Sequence, residues 1–281
     1  MKVIFFAHKL ARGGVEKIIS LLTQNLPDTI DSTIVLFDEE VTYSYRGELI
    51  TLSTPQKSGF LGRILTLKGR LGEFRKVIAR IRPQYVVAFS SASGLVSALL
   101  SVPLIFTIHT IPSMSIGKNR LQKAMLRYIC KKAKAIIVVS DGIRKDLEET
   151  YGITEKIQVL YNPVDLAGIE KQKIKEGLDP VFSQWKEQGI PIFITAGTLR
   201  EQKGHHVVLQ AFAQVRKQMD AKLVILGSGE GEAELKSLVQ HLSLEDSVLF
   251  LGFQENPYRY LARSDVFVFA PLFEGFGIVL V

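Results

Sequence analysis

The sequence predicts an α/β protein built from two doubly wound parallel sheets, and three observations carry that prediction. Short runs of β-branched and aliphatic residues recur along all 281 residues. Between them lie apolar stripes with the 3.6-residue spacing of amphipathic helices. The runs are continuously apolar instead of alternating, the pattern of strands covered by helices on both faces.

Taken in order, the first strand is read at Lys2–Ala7, ahead of a helical stripe of Val15, Ile18, Ile19, Leu22 and Leu26. Strands follow at Thr33–Phe37, Leu49–Leu52, Tyr85–Phe89, Leu104–His109, Ala135–Ser140 and Ile157–Leu160. After Asn162-Pro163-Val164-Asp165 the stretch Glu170–Gly189 is polar and shows no strand pattern. A second β–α rhythm then begins, with strands at Ile192–Ala196, Lys222–Leu226, Val248–Leu251 and Val266–Phe269. Helical stripes run through Val207, Val208, Ala211, Phe212 and Val215, and through Leu235, Leu238, Val239 and Leu242. The expected division is a first domain over residues 1–165 and a second over 166–281. Two such halves place a ligand cleft where strand carboxyl ends meet. The apolar ending Gly275–Val281 carries no helix stop signal. A second domain of about 115 residues with four strands is expected to lack part of its sheet, so the chain reads as truncated.

Composition narrows the function. The single cysteine, Cys130, excludes an intramolecular disulfide and a Cys-cluster metal site, and suits a reducing cytosol. The opening MKVIFFAHKL is too brief an apolar run for a signal peptide, and no run reaches the length of a membrane span. Residues 1–165 hold 23 Lys and Arg against 14 Asp and Glu, a surplus of nine, whereas residues 166–281 hold 12 against 14. Lys57–Arg82 has eight cations and one anion, and Lys118–Lys134 has seven cations and none. Such blocks imply an anionic partner or a solvated helix face.

Several motifs bear on chemistry. Gly13 and Gly14 stand between first strand and first helix, where a glycine pair admits a phosphate to backbone N–H groups, or simply makes a turn. No G-x-G-x-x-G occurs there, and Gly227-Ser228-Gly229-Glu230-Gly231 has Glu232 in the third glycine position. P-loop and nucleophile-elbow patterns are absent. With no Asp-x-Asp pair, and with His205 and His206 adjacent and splayed on a helix, no metal site is expected. His109, read as the last residue of its strand, can hydrogen-bond a hydroxyl or a developing charge, or be an ordinary strand-end histidine. Lys203-Gly204 occupies the turn after Ile192–Ala196 with Arg200 nearby; cations there suit a diphosphate, although a surface lysine is the default. Glu274-Gly275-Phe276-Gly277 sets a carboxylate among exposed backbone N–H groups.

Further stretches stand in one order along nearly the whole chain: Gly13-Gly14-Val15-Glu16-Lys17, Thr107-Ile108-His109, Val138-Val139-Ser140 and Tyr161-Asn162-Pro163-Val164-Asp165 in the first half. The second half has Ala196-Gly197-Thr198-Leu199 with Lys203-Gly204, then Leu226-Gly227-Ser228-Gly229, Leu251-Gly252-Phe253 and Phe273-Glu274-Gly275-Phe276-Gly277. Together they resemble the family-4-type retaining glycosyltransferases of the GT-B fold, the glycosyl transferases group 1. The resemblance implies a nucleotide-diphosphate-sugar substrate held mainly by the second domain, an acceptor held by the first, retention at the anomeric carbon, and neither metal nor cofactor. It implies that Glu274 binds donor-sugar hydroxyls, helped by N–H groups over Gly275, Phe276, Gly277 and Ile278. Lys203 would neutralise the departing diphosphate with the Gly13–Gly14 turn, and His109 would touch the sugar near the reacting carbon. Thr198 stands where the family has Arg, with Arg200 two residues on as a substitute. The family's second Glu would fall at position 282, beyond Val281, so this stretch is expected to be inactive by itself.

The resemblance also implies a lipid-linked saccharide acceptor in bacterial surface polysaccharide synthesis, and a peripheral location at the inner face of the cell membrane, with no nucleic-acid partner. Within Gly59–Arg82, Ile64, Leu67, Leu71, Phe74 and Ile78 fall at helical spacing among Arg63, Lys68, Arg70, Arg75 and Lys76. A basic amphipathic helix of this kind can lie on an anionic bilayer, or pack in the core with its cations in water. A sugar-nucleotide epimerase of the same fold, and a non-catalytic sugar-nucleotide or polyanion-binding protein, are the alternatives at this point.

Overall fold

A computed structural model describes residues 1–11 and 13–280. The chain forms two compact units, Met1–Pro163 and Val164–Val281. In the first, β1 (Lys2–Ala7), α1 (Gly14–Gln24), β2 (Asp31–Leu36), β3 (Glu48–Thr51) and α2 (Gly59–Ile81) come first. Then follow β4 (Tyr85–Ala88), α3 (Ser91–Leu99), β5 (Leu104–Ile108), α4 (Pro112–Ile116), α5 (Arg120–Lys132), β6 (Ala135–Val138), α6 (Asp141–Tyr151) and β7 (Ile157–Val159). The strands pair in parallel in the order β3-β2-β1-β4-β5-β6-β7. Strand order therefore reverses between β1 and β4, the position where open α/β sheets gather ligands.

β1 shows why its sequence is apolar throughout. Ile4 and Phe6 point to a core that includes Phe74 and Val77 of α2 and Val96 of α3. Val3, Phe5 and Ala7 point the other way, toward Ile19 of α1 with Ile34 and Leu36 of β2. Helices α3 and α6 begin on serine caps: Ser90 Oγ accepts from the Ser93 N–H at 3.2 Å, and Ser140 Oγ from the Ile143 N–H at 3.3 Å.

The second unit opens on α7 (Leu166–Lys173) and α8 (Pro180–Glu187), which the polar stretch forms. It continues with β8 (Ile192–Ala196), a 3₁₀ turn at Glu201–Lys203, α9 (His205–Arg216), β9 (Lys222–Leu226) and α10 (Glu232–His241). β10 (Val248–Gly252), α11 (Tyr258–Leu261), β11 (Val266–Phe267) and a 3₁₀ turn at Ile278–Leu280 complete it. Its parallel order is β10-β9-β8-β11, so the reversal falls between β8 and β11.

Two expectations change here. β5 ends at Ile108, which leaves His109 just past the strand and not on it. The apolar stripe of α2 is the core face and not a lipid face. Phe74 is fully buried, Leu67, Leu71 and Ile78 pack against the core, and only Ile64 is exposed. Periodicity marks an apolar side without saying what covers it. Arg63, Lys68, Arg75 and Lys76 are exposed as expected, but Arg70 is half-buried. No helix among the described residues is long and apolar enough to cross a membrane.

Candidate functional site

In the second unit, the turns after β8 and β11 are joined by backbone. Gly204 sits at φ +64°, in the left-handed region, and a side chain there would collide with the Ala270 carbonyl oxygen. Glycine thus satisfies both a conformational and a packing demand. Alongside, the Leu272 N–H donates to Gln202 O at 2.9 Å, and Gln202 Nε2 donates to Phe273 O at 3.2 Å. This seam carries Glu274 to Lys203, whose ammonium donates to the Glu274 Oε2 carboxylate oxygen in a half-buried ion pair. The second Glu274 oxygen accepts from the Gly275 N–H at 3.3 Å. The pair lies at the carboxyl ends of β8 and β11, at the reversal of strand order.

The glycine-rich turn after β9 has a backbone role. A side chain at Gly227 would strike the Gly197 carbonyl, and one at Gly229 would crowd that of Leu199. The Leu199 N–H donates to Ser228 O at 3.1 Å, and the Gly231 N–H to Leu199 O at 2.9 Å. These glycines let two turns touch, which accounts for a pattern that half resembles a dinucleotide fingerprint.

Other expected residues fall around this pair with differing outcomes. Thr198 is half-buried, while Arg200 is exposed with no ion pair among the described residues. The Ile278 N–H donates to Phe276 O at 2.8 Å, so it is engaged within the chain. Sequence reading missed Gln202, for which a polar residue in a turn gives no signal. His205, considered there only as a metal ligand, is buried, its ring bordering the space over Gly197. Burial, followed by the nearby charges of Lys203 and His206, lowers the His205 pKa despite the Thr198 backbone.

The first unit holds His109 and the glycine pair. Thr107 Oγ1 donates to Ala88 O at 3.1 Å and lies 3.0 Å from His109 Nε2. A hydroxyl with its one proton committed must accept, so His109 carries its proton on Nε2 and presents Nδ1 as an acceptor. Nδ1 is buried without a partner, and the ring stacks on Phe89 with centroids 5.8 Å apart. Burial pushes the His109 pKa down to about 4, so the neutral ring persists at neutral pH. Gly13 caps α1 and Gly14 begins it, and the Glu16 carboxylate folds back against Gly13. The α1 N-terminus therefore has its own acid beside the N–H groups that sequence reading offered to a phosphate.

Two Rossmann-like doubly wound domains in one chain are the architecture of the GT-B class. Residues 12–167 match the model of Glycosyltransferase Family 4, and residues 181–281 match that of Glycosyl transferases group 1. The first match spans more than half of the chain, which belongs to Glycosyltransferase Family 4. The chain is 28% identical to the N-acetylgalactosamine-N,N'-diacetylbacillosaminyl-diphospho-undecaprenol 4-alpha-N-acetylgalactosaminyltransferase of Campylobacter jejuni, over all of this chain and 77% of that protein. It is 30% identical to the N-acetyl-alpha-D-glucosaminyl L-malate synthase of Bacillus anthracis, over 64% of this chain and 46% of the relative. Among solved structures, Anabaena HepE in complex with UDP-glucose superposes with a TM-score of 0.72 at 19% identity, covering 96% of this chain and 74% of that one. Sucrose-phosphate synthase of Thermosynechococcus elongatus gives 0.76 at 17% identity, covering 99% and 78%.

Proposed function

We propose that the protein transfers a sugar from a nucleotide-diphosphate-sugar to a lipid-linked saccharide in bacterial surface polysaccharide synthesis, with retention at the anomeric carbon and without a metal. The observation that carries this reading is the Lys203–Glu274 pair at the reversal of the second sheet. It sets a fixed cation beside a carboxylate, so a diphosphate at Lys203 has its sugar within reach of Glu274. As the bond from the anomeric carbon to the diphosphate breaks, negative charge grows on the leaving oxygen. The ammonium of Lys203 stabilises that charge, while Glu274 accepts hydrogen bonds from the sugar's hydroxyls. Gly275, Phe276 and Gly277 line the sugar side, and Thr198 and Arg200 flank the lysine turn. Within the first domain, His109 and the Gly13–Gly14 turn are the groups assigned to substrate.

The acceptor half rests on the similarity to the Campylobacter enzyme, whose name places its substrate on diphospho-undecaprenol. The cationic surplus of residues 1–165 supports a peripheral position on the anionic inner face of the cell membrane. The lipid-facing part of α2 is its first two turns, where Leu61 and Leu65 are exposed beside Arg63 and Lys68.

The test is a transfer assay on the whole protein with a nucleotide-sugar panel and a polyprenyl-diphosphate saccharide, with the product's anomeric configuration read by NMR. The expected product keeps the donor's configuration and forms equally fast in excess EDTA. Lys203→Ala or Glu274→Ala lowers kcat/KM by about tenfold to over a hundredfold, the value of a lost charge-assisted hydrogen bond. An inverted product, activity abolished by chelation and restored by manganese, or near-normal turnover by Glu274→Ala would overturn the reading.

A further inference from the structure

Beyond β11 the chain from Val268 to Gly277 forms neither helix nor strand, so individual hydrogen bonds and close packing fix its course. Two consecutive residues of the 3₁₀ turn at Glu201–Lys203 supply such bonds. The Gln202 carbonyl accepts from the Leu272 N–H at 2.9 Å, and its side-chain Nε2 donates to Phe273 O at 3.2 Å. Lys203, next in sequence, donates to the carboxylate of Glu274, the residue after Phe273. Gln202 and Lys203 thus meet Phe273 and Glu274 in matched register, through one neutral contact and one charged contact.

The two contacts respond differently to a bound donor. Lys203 is an ammonium with three N–H donors and no acceptor. A diphosphate draws those donors toward its own oxygens, which leaves fewer for Glu274 when the sugar needs that carboxylate in place. The Gln202 contact joins a neutral donor to a neutral acceptor, so the arriving charge perturbs it far less. Its orientation is set by chemistry. A carbonyl oxygen only accepts, so the amide turns its NH₂ group, and not its oxygen, toward Phe273. A methionine of the same length has no proton to offer there.

We propose that Gln202 is a positioning residue of the donor site: through the Phe273 carbonyl it holds Glu274 on the sugar while Lys203 turns to the diphosphate. The proposal rests on the donor reading of Lys203 and Glu274, and adds to it a residue that acts through another. Recognition of the sugar and of the diphosphate are thereby separable. Loss of the Gln202 amide frees the Phe273 backbone and with it the carboxylate, whereas the ammonium stays on its own 3₁₀ turn.

The test is a calorimetric titration of the whole protein with UDP-glucose, UDP-N-acetylgalactosamine and GDP-mannose, and with UDP and GDP as their sugar-free counterparts. The nucleotide-sugar bound most tightly is then compared across variants. Gln202→Met should weaken it by about threefold to tenfold, the contribution of one neutral hydrogen bond. The same variant should bind the nucleoside diphosphate as the wild-type protein does, which also reports a folded site. In the Glu274→Gln background, Gln202→Met should have no further effect on the nucleotide-sugar, because the carboxylate it positions is already gone. A role in packing alone would weaken both ligands and would add to the effect of Glu274→Gln. Wild-type nucleotide-sugar affinity in Gln202→Met, equal loss of both ligands, or full additivity with Glu274→Gln overturns this proposal alone. If none of the three nucleotide-sugars binds, or if Glu274→Gln binds as tightly as the wild type, the donor reading fails and this proposal fails with it.

Discussion

Lys203 and Glu274 stand 71 residues apart, and they meet because glycine at 204 lets the chain pass against the Ala270 carbonyl. The sequence marked both charged residues and left the contact unstated, since no local pattern reports a backbone seam. His109 was legible by its place after an apolar run; its tautomer was not, because Thr107 and Ala88 set it. Its buried ring gives a prediction of its own. The folded protein protonates His109 only near pH 4, while the unfolded chain does so near 6.5. Between those values the unfolded state binds more protons, so this residue's contribution falls as pH drops from about 6.5, by at most about 1.4 kcal/mol per unit. Chemical denaturation at pH 7 and pH 5 should show a smaller acid loss for His109→Gln than for the unchanged protein. Equal losses would mean that the ring is not held neutral by burial.

At the scale of elements, α2 carries the clearest lesson. Its stripe of Ile64, Leu67, Leu71, Phe74 and Ile78 has the spacing of a lipid-binding face and of a core face alike. The structure separates the two along the helix axis: Phe74 is buried against Phe6 with ring centroids 4.4 Å apart, while Leu61 and Leu65 are exposed. Phe74→Ala should therefore destabilise the protein by about 3–5 kcal/mol. Leu61→Ala combined with Leu65→Ala should change stability by no more than about 0.5 kcal/mol per site. The double variant should nevertheless lose binding to anionic vesicles in co-sedimentation. Wild-type partitioning by that variant, or equal binding of the protein to neutral and anionic vesicles, would remove the membrane role of this helix. Strand positions were legible throughout, because β1 and its neighbours bury both faces and so read as unbroken apolar runs. Their ends were less so: β11 pairs only over Val266–Phe267 before the chain turns toward Glu274.

At the scale of the molecule, the two sheets share one plan and differ in charge, with the cationic surplus confined to residues 1–165. That asymmetry is one ground for the proposal that the second domain handles the donor and the first the acceptor. Fold class and family were legible because turn motifs recur in a fixed order; the inward turn of Arg70 was not, because only packing against Phe37 distinguishes it from its exposed neighbours. The central claim is that Lys203 holds the diphosphate and Glu274 the sugar of a single donor. Calorimetric titration of the whole protein with a nucleotide-sugar and its matching nucleoside diphosphate tests this most directly. Lys203→Ala should weaken both ligands by about tenfold or more, whereas Glu274→Gln should weaken the nucleotide-sugar and leave the nucleoside diphosphate unchanged. If Glu274→Gln weakened both ligands equally, or Lys203→Ala weakened neither, the division of the donor between these two residues would be contradicted.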